Sequence, residues 1–262
     1  MEESKLIPKI IHYCWFVKNK KSSKIKKCIK SWKKYFPDYK IIEWNEDNFD
    51  ISSNEWCKSA YEAKKWAFVT DYVRLKVLKD YGGIYMDTDV ELIQSLDPFL
   101  QYHCFMGFQH EKYVSNGLVI GAVKNHGFII ENAAVYENIQ FETNEDSYKL
   151  KVCQEYTTEL LANHGLTLPC DGKIQIIDDI YIFPPEYFCP YDHRTYEMNK
   201  TENTVAIHHF ASSWWDKNRK NEYKKQKCKV KINYYIHFPH RVLLSLIGEK
   251  NYNNIKKKIK GE

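Results

Sequence analysis

The sequence predicts an α/β fold of Rossmann-like type, with strands and helices alternating around a central sheet. Three observations carry this: short β-rich runs separated by stretches of helical period, glycine and proline at the junctions, and 262 residues with 44% hydrophobic content, enough to bury one large core. The run Lys9–Trp15 after Pro8 reads as a first, buried strand. Residues 22–35 read as a Lys-rich helix stopped before Pro37, and Lys40–Trp44 as a second strand, so the chain opens as strand, helix, strand. From Glu55 to Tyr81 the residues recur at steps of three and four, which predicts one long helix ended by Gly82-Gly83. Ile84-Tyr-Met86 is then a short strand that delivers Asp87-Thr-Asp89 at its carboxyl end. Further strands are expected at Cys104–Phe108, Leu118–Val123, Lys173–Ile177, Tyr181–Phe183 and Thr204–Ile207, and helices at 126–138 and 151–163. In such sheets ligands sit at the carboxyl ends of the strands. The expected organisation is one main domain over 1–220 and a basic, partly apolar, helical extension over 221–262.

Composition narrows the function classes. Eight cysteines, at 14, 28, 57, 104, 153, 170, 189 and 228, show no clustered spacing, which argues against a zinc site or a disulfide framework. Met1 to Phe16 carries charges and no uninterrupted apolar stretch, so it does not read as a signal peptide, and a cytoplasmic setting with reduced thiols is expected. No apolar run approaches the roughly 18 residues needed to span a bilayer. The net charge of +5 is uneven, since residues 1–34 and 221–262 are strongly basic whereas 35–220 holds 17 basic against 29 acidic residues. An acidic centre speaks against a nucleic-acid groove and suits a site built from carboxylates, while basic ends suit phosphate-rich partners or simply solvated faces.

Asp87-Thr-Asp89 is the element with the clearest chemistry. Two aspartates two apart, where a strand breaks into a turn, can hold Mn²⁺ or Mg²⁺ and leave its remaining positions to phosphate oxygens. A bare D-x-D is common, so the context matters: Ala67-Phe-Val-Thr-Asp71-Tyr-Val-Arg74 and the following residues through Gly82-Gly83-Ile-Tyr85-Met precede it. At this stretch the sequence resembles glycosyltransferase family 32, the D-x-D sugar transferases that include capsular polysaccharide enzymes and yeast mannosyltransferases. Supporting stretches are Ile7–Phe16, Ile176–Pro190 and Ile207–Trp214, in order along the chain. Val17 and Cys153-Gln154 depart from the family pattern, which usually has Gly at the first position and a Cys-Pro or Gly-Pro pair at the second.

The resemblance implies a GT-A fold with a central mixed sheet flanked by helices, transfer with retention of anomeric configuration, and a set of roles. Asp87 and Asp89 would hold the metal, with His209, preceding Phe210, completing its shell in preference to His208; Asp87 would also serve the donor. Asp71 and Arg74 would reach the donor sugar or phosphate, the alternative being a helical i, i+3 ion pair of little worth. Asn116, followed by Gly117, resembles an asparagine that contacts the sugar, and Asp179, with Asp178, would orient acceptor or donor. Ser212, Ser213 and Trp214 would donate to the diphosphate. His12, Tyr13 and Trp15, at the exit of the first strand, are candidates for the nucleotide base, with core packing as the alternative, and Tyr85 for the ribose or sugar. Glu91 continues the alternation but reads as an ordinary exposed acid.

The resulting expectation is a metal-dependent retaining hexosyltransferase using a nucleotide-diphosphate sugar, UDP-hexose ahead of GDP-mannose, with a glycan or lipid-linked acceptor in surface polysaccharide synthesis and no nucleic-acid partner. Two alternatives remain open on the residues alone: a nucleotide-sugar hydrolase, and a non-enzymatic polybasic binding module. In the extension, Tyr234–Ile247 concentrates apolar residues ahead of Lys250 and Lys256–Lys260, a composition that suits peripheral contact with an anionic membrane at the inner face of the cell membrane or, equally, a terminal helix packed on the domain.

Overall fold

The structure is a computed structural model that describes residues 6–16, 19–141 and 151–211, with 221–222, 225–226 and 228–229. The chain divides into two compact units, one comprising Met1–His193 and Glu197–Trp214, the other Arg194–Tyr196 and Trp215–Glu262. The expected apolar segment 234–247, the lysines that follow it, and Val17 all lie outside the described residues.

The first unit is a mixed α/β sandwich around one sheet. Strands β1 (Ile10–Cys14), β2 (Lys40–Trp44) and β3 (Gly83–Met86) form its parallel part, with β1 between the other two. Beyond β3 the sheet continues through β7 (Val119–Ala122), β5 (Cys104–His110), β9 (Ile180–Phe183) and β8 (Gln175–Ile177), and β6 (Tyr113–Ser115) adds to β5. Both contacts of β7 are antiparallel, β5 with β9 is parallel, and β8 with β9 antiparallel, so the sheet is mixed as expected for the GT-A type. A separate two-stranded ribbon pairs β4 (Val90–Leu92) with β10 (Ala206–His208).

Alternation along the strands sends successive residues to opposite faces, and each face has its own core. Ile84 and Met86 of β3 join the cluster with Trp32 and Phe36, supplied by α1 (Ser23–Tyr35) and the residue that caps it. Tyr85 faces the other cluster, built from α2 (Glu55–Glu62), α3 (Trp66–Tyr81), α4 (Gly127–Glu137) and α5 (Cys153–Asn163). A one-turn helix, α6 (Pro185–Phe188), buries Phe188 in the first of these cores.

The single helix expected over Glu55–Tyr81 is two. The chain turns at Lys64, whose φ of 57° is left-handed, and the Lys65 N–H reaches back to the Ala60 carbonyl, closing α2 before α3 begins. Asn54 caps α2 by accepting from the Cys57 N–H at 2.9 Å. At the far end of α3, Gly82 has φ 65° and a Cβ there would sit 2.6 Å from the Lys124 nitrogen, so glycine is required by both conformation and space. Strands β4 and β6 and helix α6 are too short to have shown a period. All eight cysteines are free. No helix among the described residues is long and apolar enough to cross a membrane.

Candidate metal and donor site

Asp87 leaves β3 on the same face as Tyr85, two residues before it, and that face looks onto α3. A tight turn follows: the Val90 N–H donates to the Asp87 carbonyl at 3.0 Å, starting β4. The turn swings Asp89 toward β10, where His208 pairs with Val90 in the antiparallel register. His208 Nε2 lies 3.1 Å from Asp89 Oδ1, and the Ala211 N–H donates to Asp89 Oδ2 at 2.6 Å. Asp87, Asp89 and His208 each bring one ligand atom to a place where all lie within 4.8 Å of one another. Two carboxylates and one imidazole are a hard-to-borderline donor set for a divalent cation of the Mn²⁺ or Mg²⁺ class.

The electrostatics of the trio are those of buried groups in mutual contact. Burial raises the Asp87 carboxyl, a shift that Arg74 opposes and neighbouring Asp89 adds to. For Asp89 burial pushes upward too, but the His208 imidazolium outweighs it and holds the carboxyl well below the usual range. The same pairing, working against burial, lifts His208 to about 10.

Arg74 is the hub beneath the trio. Only 3% exposed, it donates from Nη1 to Asn116 Oδ1 at 2.9 Å and to Cys153 Sγ at 3.3 Å, and from Nη2 to Thr70 Oγ1 at 3.0 Å. Nη2 also stands 3.2 Å from Asp71 Oδ1 and 3.4 Å from Asp87 Oδ1, so one guanidinium balances two carboxylates. Asp71, a helical turn back, is buried, and burial against the pull of Arg74 leaves its carboxyl pushed up to about 6. Tyr85 donates its hydroxyl to Asp87 Oδ1 at 3.0 Å while its ring lies under the guanidinium. Gly117 closes the arrangement from the other side, for a Cβ there would stand 2.7 Å from Asp87 Oδ2 and 2.9 Å from Arg74 Nη1.

The structure therefore brings Asp71, Arg74, Tyr85, Asp87, Asp89 and Asn116 together. Three of the candidates, Asn116, Tyr85 and His209, occupy positions other than the sequence suggested. Asn116 is fully buried, its carbonyl on Arg74 and its amide donating to Thr157 Oγ1 at 2.9 Å, so it positions Arg74 rather than facing solvent. Tyr85 is likewise core, a support for Asp87 and Arg74. His209 is displaced from the trio by strand geometry: it follows His208 directly, faces the other way, and lies 2.8 Å through Nε2 from Glu91 Oε2. The histidine that joins Asp87 and Asp89 is His208. Glu91 is no idle surface acid, since its other oxygen pairs with Lys27 at 2.9 Å.

Asp179 lies elsewhere. Ile180 pairs with Cys104, Cys104 with Ala122, and Ala122 with Gly83, so the turn that carries Asp178 and Asp179 sits at the Gly83 end of the sheet, opposite Asp87. There Asp179 bridges His103 and His126, 3.0 Å from a ring nitrogen of each. His12 is 0% exposed; its Nε2 is 2.8 Å from the Gly82 carbonyl and its Nδ1 accepts from the Trp44 indole at 3.0 Å, which makes it a core residue. Tyr13 is buried too, donating its hydroxyl to Glu43. Of the three aromatic candidates at the exit of β1, Trp15 is the one left half-exposed, with Lys21 Nζ 5.0 Å over its ring. Ser212, Ser213 and Trp214 lie outside the described residues. Thr157 and Asn132 were not legible beforehand: Thr157 Oγ1 accepts from both Asn116 and Asn132, a contact that exists only once α4 and α5 are packed on β6 and α3.

A family model described as the glycosyltransferase sugar-binding region containing the DXD motif matches residues 22–106, the segment that carries Asp71, Arg74, Asp87 and Asp89. Over that segment the chain is similar to the DXD glycosyltransferases. An inositol phosphoceramide mannosyltransferase of Schizosaccharomyces pombe is 32% identical over 133 residues, 49% of this chain and 37% of its own length. A mannosyl phosphorylinositol ceramide synthase of Saccharomyces cerevisiae is 31% identical over 48% of this chain and 34% of its own. The chain thus spans little more than a third of the length of these curated relatives. A glycosyltransferase of Acanthamoeba polyphaga mimivirus matches at 28% identity over 71% of this chain and 78% of its own. Among solved structures the PaToxG glycosyltransferase aligns with a TM-score of 0.47 at 19% identity, over 60% of this chain and 69% of that one.

Proposed function

We propose that the chain is a glycosyltransferase of the DXD type that moves a hexose from a nucleotide-diphosphate sugar to a lipid-linked or glycan acceptor, with a divalent cation held by Asp87, Asp89 and His208. The observation that carries the reading is the convergence of those three ligand atoms within 4.8 Å, directly above the buried Arg74 hub. The donor set fits Mn²⁺ or Mg²⁺, and the imidazole favours Mn²⁺ of the two. Such a cation, when bound, neutralises the nucleoside diphosphate as it departs.

The chain's own residues do the remaining work. Arg74 holds Asp87 in place and, with Asp71, lends the floor of the site a fixed charge pattern that needs no reorganisation as charge develops. Asn116, Thr157 and Gly117 fix the position of Arg74 in turn. In the transfer the bond from the anomeric carbon to the phosphate oxygen breaks and a bond to the acceptor oxygen forms on the same face. The acceptor's proton passes to the leaving phosphate, so no side-chain nucleophile is needed. The mannosyltransferase relatives favour a mannosyl donor over the UDP-hexose expected from sequence, and their inositol phosphoceramide names favour a lipid acceptor over a soluble glycan.

Asp89→Asn tests the reading, being isosteric and removing one ligand charge. Wild-type protein is screened for Mn²⁺-dependent consumption of GDP-mannose and UDP-hexoses, with and without a phosphoinositol lipid. The variant is expected to keep its fold and lose that turnover. Near-wild-type turnover by Asp89→Asn would refute the metal assignment, and donor consumption indifferent to any acceptor would favour the hydrolase.

A further inference from the structure

Helix α1 carries Lys24, Lys26, Lys27, Lys30, Lys33 and Lys34 and no acid, and exposed Lys20 precedes it. Its buried stripe is Ile25, Cys28 and Trp32, so Lys26, Lys30 and Lys33, at steps of four and three, line the opposite, solvent-facing side. Lys27 has a carboxylate partner in Glu91; Lys20, Lys24, Lys26, Lys30, Lys33 and Lys34 have none among the described residues. This is an unfavourable way to build a helix. Lysines in the first turn oppose the helix dipole, with no acid there to offset them, and Lys26, Lys30, Lys33 and Lys34 repel one another at helical spacing. An external anionic surface relieves both.

Two further lysines of the same helix, Lys24 and Lys27, border the site. Lys24 Nζ is 3.4 Å from the His209 carbonyl, whose own N–H donates to the Asp89 carbonyl at 3.1 Å. Lys27 reaches the same ribbon through Glu91.

We propose that the lysine face of α1 is a docking surface for anionic phospholipid, which holds the Asp87, Asp89 and His208 site against the headgroup plane where a lipid acceptor lies. The residue type and shape favour a bilayer over other polyanions. Lysine is a compact, hydrated point charge; the planar pairing that nucleic acid and protein carboxylates reward belongs to arginine, and α1 has none. The face is the convex, solvent-facing side of a single helix. Its rings are unavailable to stack on bases, Trp32 being buried and Tyr35 half-buried under Lys34. Clustered lysines next to an anionic leaflet are attracted without fixed geometry, by about a fivefold gain in affinity per residue. The role of this surface in presenting acceptor rests on the transferase reading; the docking itself does not.

The test is co-sedimentation of the full chain with vesicles of phosphatidylcholine alone and of phosphatidylcholine mixed with phosphatidylserine. A parallel titration uses a single-stranded RNA oligomer. Wild type is expected to bind the mixed vesicles, to be released by salt, and to ignore phosphatidylcholine. The triple variant Lys26→Gln, Lys30→Gln, Lys33→Gln is expected to bind roughly a hundredfold more weakly at an unchanged melting temperature. Equal binding by the triple variant overturns the proposal, as does no binding of wild type at low salt. RNA binding that is tighter than vesicle binding and lost in the same variant overturns it in favour of nucleic acid. Donor consumption without vesicles is measured alongside and is expected to be the same in both proteins. If neither consumes any donor while vesicle binding still follows the lysines, the transferase reading falls and the docking surface stands.

Discussion

Gly117→Ala probes the site through space alone. The backbone there does not require glycine, but the added Cβ would stand 2.7 Å from Asp87 Oδ2 and 2.9 Å from Arg74 Nη1, where ordinary contact begins at 3.4 Å. Arg74 cannot yield, because it is buried and its Nη1 is committed to Asn116 and Cys153. Asp87 is the partner that moves: its side chain is 30% exposed and held through Oδ1 by Arg74 and Tyr85. The structure thus predicts a carboxylate shift of about 0.7 Å at one of the three proposed metal ligands, a misplacement of the size that costs roughly a hundredfold in rate. Because Asp87 has somewhere to go, the loss of stability should fall at the low end for overpacking, about 1 kcal/mol. Steady-state donor consumption with Mn²⁺, beside a thermal melt, reads both quantities. Gly127→Ala is the control, since nothing lies within 4 Å of a Cβ at that position. Turnover by Gly117→Ala within twofold of wild type would show that Asp87 and Arg74 do not close on Gly117 as described.

The two adjacent histidines separate cleanly. His208→Gln is expected to weaken Mn²⁺ binding, followed by electron paramagnetic resonance, by at least roughly tenfold, whereas His209→Gln, which touches Glu91 instead, leaves it near wild type; the reverse order would put His209 back at the metal. His12 predicts a pH effect on stability. Burial lowers it to about 4 from 6.5, so the unfolded chain takes up a proton that the folded chain refuses. The associated stability is complete above pH 6.5 and is lost on acidification toward pH 4, a total of up to about 3 kcal/mol. Urea unfolding across that window, in wild type and in His12→Gln, should show a flatter profile for the variant; identical profiles would mean that His12 titrates freely in the fold.

The alternation of elements was readable because each long element declares its own period. Strand Lys40–Trp44 and helix α5 fall within two residues of where sequence puts them, and the end of α3 is fixed by Gly82. The break at Lys64 was hidden, since a lysine in a left-handed turn leaves the apolar spacing on either side unchanged. At the site, Asp87 and Asp89 were legible because strand, turn and carboxylates are contiguous. The choice between His208 and His209 was not: a strand's period says that they point apart, but which one faces Asp89 depends on the register of β10 on β4, a pairing across more than a hundred residues. Asp179 was misplaced for a related reason. A turn preceding a strand lies at one end of the sheet or the other according to strand direction, which the order β3, β7, β5, β9 decides and no local pattern records. His12 and Tyr13 sit on the β1 strand that leads to the site, yet alternation buries one against Trp44 and the other against Trp32, leaving Trp15 at the surface.

Arg74 shows why the site and the core cannot be treated apart. Read from spacing alone, Asp71 and Arg74 form a surface pair worth a few tenths of a kcal/mol. Buried at 6% and 3% exposure, the same pair obeys different rules, because an unpaired charge in that place costs several kcal/mol and each partner is obliged to keep the other. The guanidinium must also balance Asp87, and it is Asp87 that reaches out of the core to the metal position. The chain of contacts from Asn132 through Thr157 and Asn116 to Arg74 and Asp87 therefore links α4 and α5 in the interior to the charged turn at the carboxyl end of β3. Electrostatic preorganisation has its material form in that chain, since a carboxylate held by a buried arginine, itself held by buried amides, is already ordered for the proposed cation.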